Sequence, residues 1–497
     1  MTAQGLPEGW PVALDPRVRV RRGAAVVLGG APWGVVRIAP AGRPFVQRLY
    51  DAGPRGLTAE TDVEHAVVDL LLARGIVHPL PWRTTRGRRV APDVEIVIPA
   101  YERAHLLDIC LASLRSASPG VRVVVVDDAS STPAVGAVAA RHGARLVRRP
   151  VNGGPAAARN TGLRETSASV VAFVDADCIV TPGWLDALLP HFDDPRVGAV
   201  APRVSPRAAS DGLLARHELA RSALDMGPRA ELVKHGAPLG FLPSATLLVR
   251  RSALADDAGT AFDEEMRLGE DVDLVWRLLE RGWLVRYEPA ASIFHEMRLQ
   301  PLTWARRRFE YGTSAADLDR RHPGRLAPAR LSGWNVAAVS LVLARRPLAG
   351  SAVAAVAAGL LARKLQSASV DPTVAPLVVG KGLVADAVAV GHALRREWCP
   401  LGWLALAAAP RSRVARLAAF SMLAPVVFEW LTRRPQVDLP RYVALRLVED
   451  AAYGGGVIAS AVRGRRPGVL LPRVSLPRLR GGRRQGPDPR PGAATSS

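Results

Sequence analysis

Four consecutive valines, Val123 to Val126, end in two carboxylates, Asp127 and Asp128, and this run constrains the fold more than any other stretch of the chain. An unbroken β-branched run has no polar face to offer water, so it predicts a strand covered on both sides, as in a parallel sheet. In open α/β folds, ligands bind outside the carboxyl ends of such strands. A second strand is predicted at Val170-Val171-Ala172-Phe173-Val174, and it delivers Asp175-Ala176-Asp177 to the same edge. Two acids one residue apart at a strand exit can share a divalent cation, and a hard cation can hold a diphosphate. Gly269-Glu270-Asp271 adds a third acid pair at a predicted helix start, where a carboxylate can serve as a base.

Each piece alone is weak. Asp-Asp after a strand reads equally well as a helix N-cap, and Asp271 can be read as the cap of the helix through Leu274, Trp276, Leu278 and Leu279. The order is what carries information. Val94-Glu95-Ile96-Val97-Ile98-Pro99-Ala100-Tyr101 predicts a first strand stopped by proline, followed by a helix bearing Leu106, Leu107, Ile109, Leu111 and Leu114. Asn152-Gly153-Gly154-Pro155-Ala156-Ala157-Ala158-Arg159 opens another helix, which sets backbone N–H groups near the crevice with an arginine one turn in. Ser292-Ile293-Phe294-His295 ends a late strand. A lone histidine beside apolar residues is also compatible with a purely structural role.

Taken in this order, residues 93 to 300 resemble the family 2 inverting glycosyltransferases with the GT-A fold. The resemblance implies that Tyr101 stacks on the uracil of a UDP-sugar, that Asp128 accepts a hydrogen bond from its ring N–H, that Arg159 lines the nucleotide pocket and that Asp175 touches the ribose. It implies that Asp177 and His295 bind a divalent metal, Mg2+ or Mn2+, and that Asp271, with Glu270 beside it, is the general base. The chemistry is consistent with two separate carboxylate sites. Displacing UDP puts negative charge on the diphosphate, which a metal neutralises, while the acceptor hydroxyl gives its proton to a base. A single base and no separate nucleophile imply inversion. The Gln-x-x-Arg-Trp signature of processive members is absent: the region reads Trp304-Ala305-Arg306-Arg307-Arg308-Phe309. Those arginines suit either a leaving diphosphate or a membrane surface.

The formal charge of +21 suggests a nucleic-acid partner until its distribution is inspected. Nearly all the bases are arginine, with lysine only at 234, 364 and 381, and residues 331 to 497 hold 23 basic and 8 acidic side chains. Charge concentrated among apolar runs predicts an anionic membrane surface as partner and no nucleic acid. The apolar runs at 331–344, 347–362, 400–409 and 417–431 fall short of the roughly 20 uninterrupted residues of a spanning helix, so an interfacial or re-entrant region is expected, with a soluble bundle as the competing reading. Three scattered cysteines, Cys110, Cys178 and Cys399, are consistent with a reducing cytosol, and no apolar signal segment opens the chain. The expected location is the cytoplasmic face of the cell membrane.

The chain divides into four regions. Residues 1–85, with three short strands near 17–20, 25–30 and 34–39 and helices near 43–50 and 59–74, predict a small winged-helix-like recognition module without a basic DNA-reading face. Arg83 to Arg89 is the expected linker. The α/β catalytic domain occupies 90–320, a helical membrane-associated region 325–463, and a disordered basic tail 464–497. The small first module, the Asn152–Gly162 stretch, Leu224-Asp225-Met226-Gly227, Phe241-Leu242-Pro243-Ser244-Ala245 and Asp450-Ala451-Ala452-Tyr453-Gly454 resemble one subgroup, the glycosyltransferases of mycofactocin biosynthesis. That resemblance implies transfer of glucose from UDP-glucose to a peptide-derived redox cofactor, premycofactocin, building a short β-1,4-linked glucan. A transferase for cell-wall polysaccharide or lipid shares every catalytic residue. A non-catalytic nucleotide or nucleic-acid binder needs no base, so Glu270-Asp271 counts against it.

Overall fold

The computed structural model describes residues 5–83, 93–208, 210–254, 260–297, 299–367 and 372–475. The first unit contains β1 (Pro11–Leu14), β2 (Arg19–Arg21), β3 (Val26–Gly29), β4 (Gly34–Arg37), α1 (Arg43–Ala52), β5 (Leu57–Thr58), α2 (Asp62–Leu72) and β6 (Val77–Pro79). The strands form two antiparallel sheets, ordered β5-β1-β6 and β2-β3-β4. The sequence reading found β2, β3 and β4 and missed β1, β5 and β6. Helix α2 starts at a capping box, in which Thr61 Oγ1 accepts from the Glu64 amide at 3.3 Å and the Glu64 carboxylate accepts from the Thr61 amide at 3.4 Å. Phe45, Leu49, Leu71 and Ile76 form its core. Beyond Arg83 the expected linker lies outside the described residues.

The second unit runs β7 (Val94–Ala100), α3 (Ala104–Ala117), β8 (Arg122–Asp127), α4 (Ala134–Arg141), β9 (Arg145–Arg148), α5 (Gly154–Arg164), β10 (Val170–Val174), β11 (Cys178–Val180), α6 (Trp184–Leu188), β12 (Val197–Arg207), α7 (Leu213–Ala220), β13 (Glu231–Leu232), β14 (Thr246–Arg250), α8 (Arg251–Leu254), α9 (Glu270–Glu280), β15 (Leu284–Glu296), α10 (Pro301–Gly312) and α11 (Ala315–Arg321). One nine-stranded sheet has the order β11-β15-β12-β14-β10-β7-β8-β9, with β13 on β15. Strands β7, β8, β9 and β10 are parallel, and every residue of β10 is buried. Apolar clusters fill both faces: Ile96, Val125, Leu107 and Trp184 on one, Val97, Val124, Phe173 and Leu274 on the other. The parallel strands therefore point their carboxyl ends at one edge, which is what a GT-A core requires.

The third unit comprises β16 (Arg330–Ser332), α12 (Gly333–Leu343), α13 (Pro347–Ser367), α14 (Ala375–Arg395), α15 (Cys399–Ala408), α16 (Arg413–Arg433), α17 (Leu439–Arg463) and β17 (Arg473–Ser475). Helix α17 belongs to the catalytic body. It lies so close to α10 that a Cβ on Gly456 would stand 2.0 Å from the Phe309 carbonyl oxygen. Its charged face is buried in a network: Arg308 pairs with Glu218 at 2.6 Å and with Glu449 at 3.0 Å, and Arg446 pairs with Glu449 at 2.7 Å. Three helical stretches, Pro347–Gln366, Pro372–Arg395 and Arg413–Arg433, are long and apolar enough to cross a membrane by length and composition. These helices are longer than the apolar runs read from the sequence, and the stretch at 372–395 is not among those runs. Lys381, Asp386 and Glu429 interrupt the apolar runs without interrupting the helices. Part of the tail is also ordered: β17 pairs in parallel with β16, and Trp398 Nε1 donates to the Leu470 carbonyl at 2.7 Å. Residues 476–497 lie outside the described residues.

Candidate active site

The two acid-bearing strand exits serve different ends. At the exit of β8, Asp127 is fully buried and accepts from the Ser130 amide at 2.9 Å. Asp128 is also buried, and its two oxygens accept from the amides of Gly153 and Gly154 at 3.1 and 2.7 Å, with Arg149 at 3.3 Å. Asp128 thereby ties the start of α5 to the sheet from a distance in sequence, and is itself the N-cap of neither α4 (Pro133) nor α5 (Gly153). Around it the chain is strained. Glu102, Arg103 and Ala129 all have positive φ, and the loops after β7 and β8 are pinned together by Glu102 N to Ser130 Oγ (2.9 Å) and Ser131 N to Glu102 Oε1 (2.7 Å). Non-glycine residues with positive φ are costly and concentrate at ligand sites. Tyr101 directly succeeds β7, with 54% of its surface exposed.

At the exit of β10 the carboxylates are partly exposed and meet side chains from other elements. Arg159, buried on α5, donates Nη2 to Asp175 Oδ1 at 2.7 Å and Nη1 to Glu270 Oε1 at 2.9 Å, with its guanidinium 5.3 Å from the Phe262 ring centroid. Burial works against its charge, but the carboxylates of Asp175 and Glu270 prevail and hold it protonated above the ordinary arginine range. One guanidinium thus joins the strand exit, α5 and the start of α9. Glu270 and Asp271 can open α9 because Gly269 takes φ 82°, and a Cβ there would stand 2.9 Å from Ser314 Cβ. Asp271 Oδ2 accepts from the Ser244 amide at 3.2 Å and Oδ1 from the Val272 amide at 2.8 Å. Burial raises the proton affinity of Glu270, and the neighbouring Asp271 charge adds to it, with Arg159 opposing. Asp271 is raised too, mainly by burial, with the Ser244 amide and Arg159 pulling the other way. A carboxylate with raised proton affinity is a better base toward a hydroxyl.

Asp177 lies two residues on. Its Oδ1 is 3.2 Å from His295 Nε2 and its Oδ2 4.0 Å from Arg103 Nη1. The meeting is set by the sheet: β11 and β15 pair antiparallel with Cys178 opposite His295. Among the described residues no group of three or more His, Cys, Asp or Glu could hold a metal by itself. One carboxylate and one imidazole side by side, both partly exposed, fit a cation that takes its remaining ligands from phosphate oxygens, as Mg2+ and Mn2+ commonly do. Two participants escaped the sequence reading. The Ser244 amide and Arg103 act through backbone position and side-chain reach, and only the placement of their loops at the crevice edge signals either.

Parallel strands within a mixed sheet gather acids at their carboxyl edge, and an arginine bridges one of them to an acid-bearing helix start, an arrangement that fits a nucleotide-sugar glycosyltransferase of the GT-A type. The sequence profile of Glycosyl transferase family 2 matches residues 95–256. Pre-mycofactocin glycosyltransferase of Mycobacterium tuberculosis (strain ATCC 25618 / H37Rv) is 37% identical over 488 residues, 95% of this chain and 100% of that protein. Succinoglycan biosynthesis protein ExoU of Rhizobium meliloti (strain 1021) is 31% identical over 198 residues, 38% of this chain and 58% of that one. Among solved structures, a mannosyltransferase from Pyrobaculum calidifontis in complex with GDP-Man and Mn2+ matches 76% of this chain and 88% of its own, at 19% identity and a TM-score of 0.42. The chain belongs to the family 2 glycosyltransferases, and its likeness to the mycobacterial pre-mycofactocin enzyme extends through all three units.

Proposed function

We propose that the chain transfers glucose from UDP-glucose, with inversion, to the peptide-derived redox cofactor precursor premycofactocin and extends it as a short β-1,4-linked glucan. The observation that carries this reading is the Arg159 bridge between Asp175 and Glu270, which joins the helix start bearing Asp271 to the β10 exit. In the reaction, the acceptor oxygen forms a bond to the anomeric carbon as its proton passes to an Asp271 oxygen. The bond from that carbon to the diphosphate oxygen breaks on the opposite face, and UDP leaves with the electron pair. Glu270 and Arg159 set the charge around the base. Tyr101 stacks on the uracil, Asp128 accepts the ring N–H on lone pairs its amide contacts leave, and Asp175 meets the ribose. A divalent cation bound by Asp177 and His295 would supply charge neutralisation of the leaving diphosphate.

Residues 1–85 act in this reading as the acceptor-recognition module, and the C-terminal helices hold the enzyme on anionic lipid at the cytoplasmic face of the membrane. The exposed apolar helices also support a second reading, a lipid-linked or cell-wall acceptor with the same chemistry. The test is direct. Purified chain with UDP-glucose, Mn2+ and premycofactocin should give stepwise hexose additions by mass spectrometry, with a β-linkage by NMR. Hydrolysis of UDP-glucose without transfer to this acceptor, but with transfer to a lipid extract, selects the second reading. Deleting residues 1–85 should weaken transfer to the peptide-derived acceptor and leave UDP-glucose hydrolysis unchanged.

A further inference from the structure

Length and composition allow three helices to cross a membrane; their connections do not. Helix α14 is about 31 Å long at 1.5 Å per residue, enough for a bilayer core. Its first residue, Ala375, is fully buried in a cluster with Val26 of β3 and Leu365, so that end rests on the N-terminal module. At its other end Arg395 donates to Asp450 of α17 at 2.8 Å, and α17 is bound to α10 of the catalytic domain. The module and the catalytic domain are themselves in contact, through Arg17 with Glu231 and Lys234 with the Ala73 carbonyl. One aqueous body therefore holds both ends of α14, whereas a span has its ends in two compartments. At mid-length, Asp386 accepts from the Ser332 amide and from Asn335 Nδ2, both at 2.9 Å, where a spanning helix would meet the middle of the bilayer.

The other two long helices each form a hairpin with a short partner. Helix α13 is joined to α12, of 11 residues, and α16 to α15, of 10 residues. Both hairpins leave the body and return to it. The first begins at β16, which pairs with β17, and ends where Leu361 and Leu365 pack on the module. The second begins beside Trp398 and ends where Arg433 Nη1 donates to the Ala220 carbonyl at 2.6 Å and Glu429 pairs with Arg221 at 2.9 Å. A limb of 10 or 11 residues covers about 15–17 Å, roughly half the hydrocarbon thickness, so neither hairpin reaches the far side and back. The outer surfaces nonetheless suit lipid: Leu348, Leu404, Leu417 and Phe420 are 57–86% exposed, and the exposed Arg345, Arg346, Arg411 and Arg416 stand beside the two turns. Exposed apolar side chains flanked by arginine fit one leaflet with anionic headgroups.

We propose that α12 to α16 form a monotopic platform that lies in the headgroup region of one leaflet of an anionic membrane, with none of these helices crossing it. This rests on the membrane reading above and specifies its geometry. The test uses the full chain with single exposed cysteines, Arg345→Cys, Arg363→Cys, Arg411→Cys and Arg434→Cys, which mark both ends of α13 and α16; the native cysteines are buried. An impermeant maleimide is applied to spheroplasts and to inverted vesicles. All four positions should label only in inverted vesicles, and a turn position that labels from neither face until detergent is added still supports the platform. Labelling of Arg345→Cys or Arg411→Cys on spheroplasts overturns it. Flotation of the purified chain with phosphatidylglycerol–phosphatidylcholine vesicles should show at least about tenfold more binding than with phosphatidylcholine alone, lost at high salt. No binding to either composition defeats the platform together with the membrane reading, while transfer activity on premycofactocin judges the proposed reaction separately.

Discussion

The exits of β8 and β10 carry nearly the same sequence signature, a β-branched run ending in a pair of acids, and the structure uses them in opposite ways. Asp127 and Asp128 are buried, accept from backbone amides and pair with Arg148 and Arg149 of the neighbouring segment, so they bind one part of the fold to another. Asp175 and Asp177 are partly exposed and meet Arg159, His295 and Arg103. The difference lies in the neighbours each strand exit acquires. Beyond β8 the Gly153-Gly154 amides arrive at the start of a helix and each engage one oxygen of the Asp128 carboxylate. Beyond β10 the chain turns straight into β11, whose partner strand carries a histidine and whose surroundings supply cations. Acid pairs at strand exits thus mark an edge, while their neighbours decide between structure and chemistry.

Four experiments break or sharpen that contrast. The largest effect is expected away from both pairs, at the proposed base: Asp271→Asn should keep UDP affinity and lower turnover at least about 100-fold, the scale of losing a general base. Turnover within a few-fold of wild type would move the base elsewhere. Next, Asp177→Ala should abolish the gain in UDP affinity that Mn2+ gives to the wild type, read by calorimetry with and without the metal. If that gain persists, the β10 exit is as structural as the β8 exit.

Asp128→Ala should act on folding as well as on UDP binding. It leaves the Gly153 and Gly154 amides without their acceptor, a loss of about 1–3 kcal/mol in urea unfolding. Unchanged stability would deny the amide contacts a structural role, and unchanged UDP affinity would remove Asp128 from the uracil. The smallest effect concerns pH. Burial raises the proton affinity of Glu270 and Asp271, and a base must be ionised to act, so the acid limb of turnover should lie above the ordinary carboxylate range. Arg159 opposes that rise, so Arg159→Gln should move the limb to still higher pH. A limb that stays in place in the variant's pH–rate profile removes Arg159 from control of the base.

Much of the catalytic domain could be read directly because its signals are local. A valine run, a proline stop or a glycine before two acids declares a strand, an exit or a helix start within a few residues. The bridge built by Arg159 could not be read, since Glu270 lies 111 positions away and nothing near either residue records the meeting. The Ser244 amide was hidden for the same reason, because every residue but proline carries one.

The helical region draws the line most clearly. The sequence alone determined that its helices are apolar, flanked by arginine and suited to lipid, because hydropathy and charge are properties of single residues summed along a window. Tertiary structure alone decided where their ends lie. Val26 under Ala375, Asp450 on Arg395 and Ala220 against Arg433 join residues from distant parts of the chain, and those long-range contacts determine whether an apolar helix passes through a membrane or rests on it.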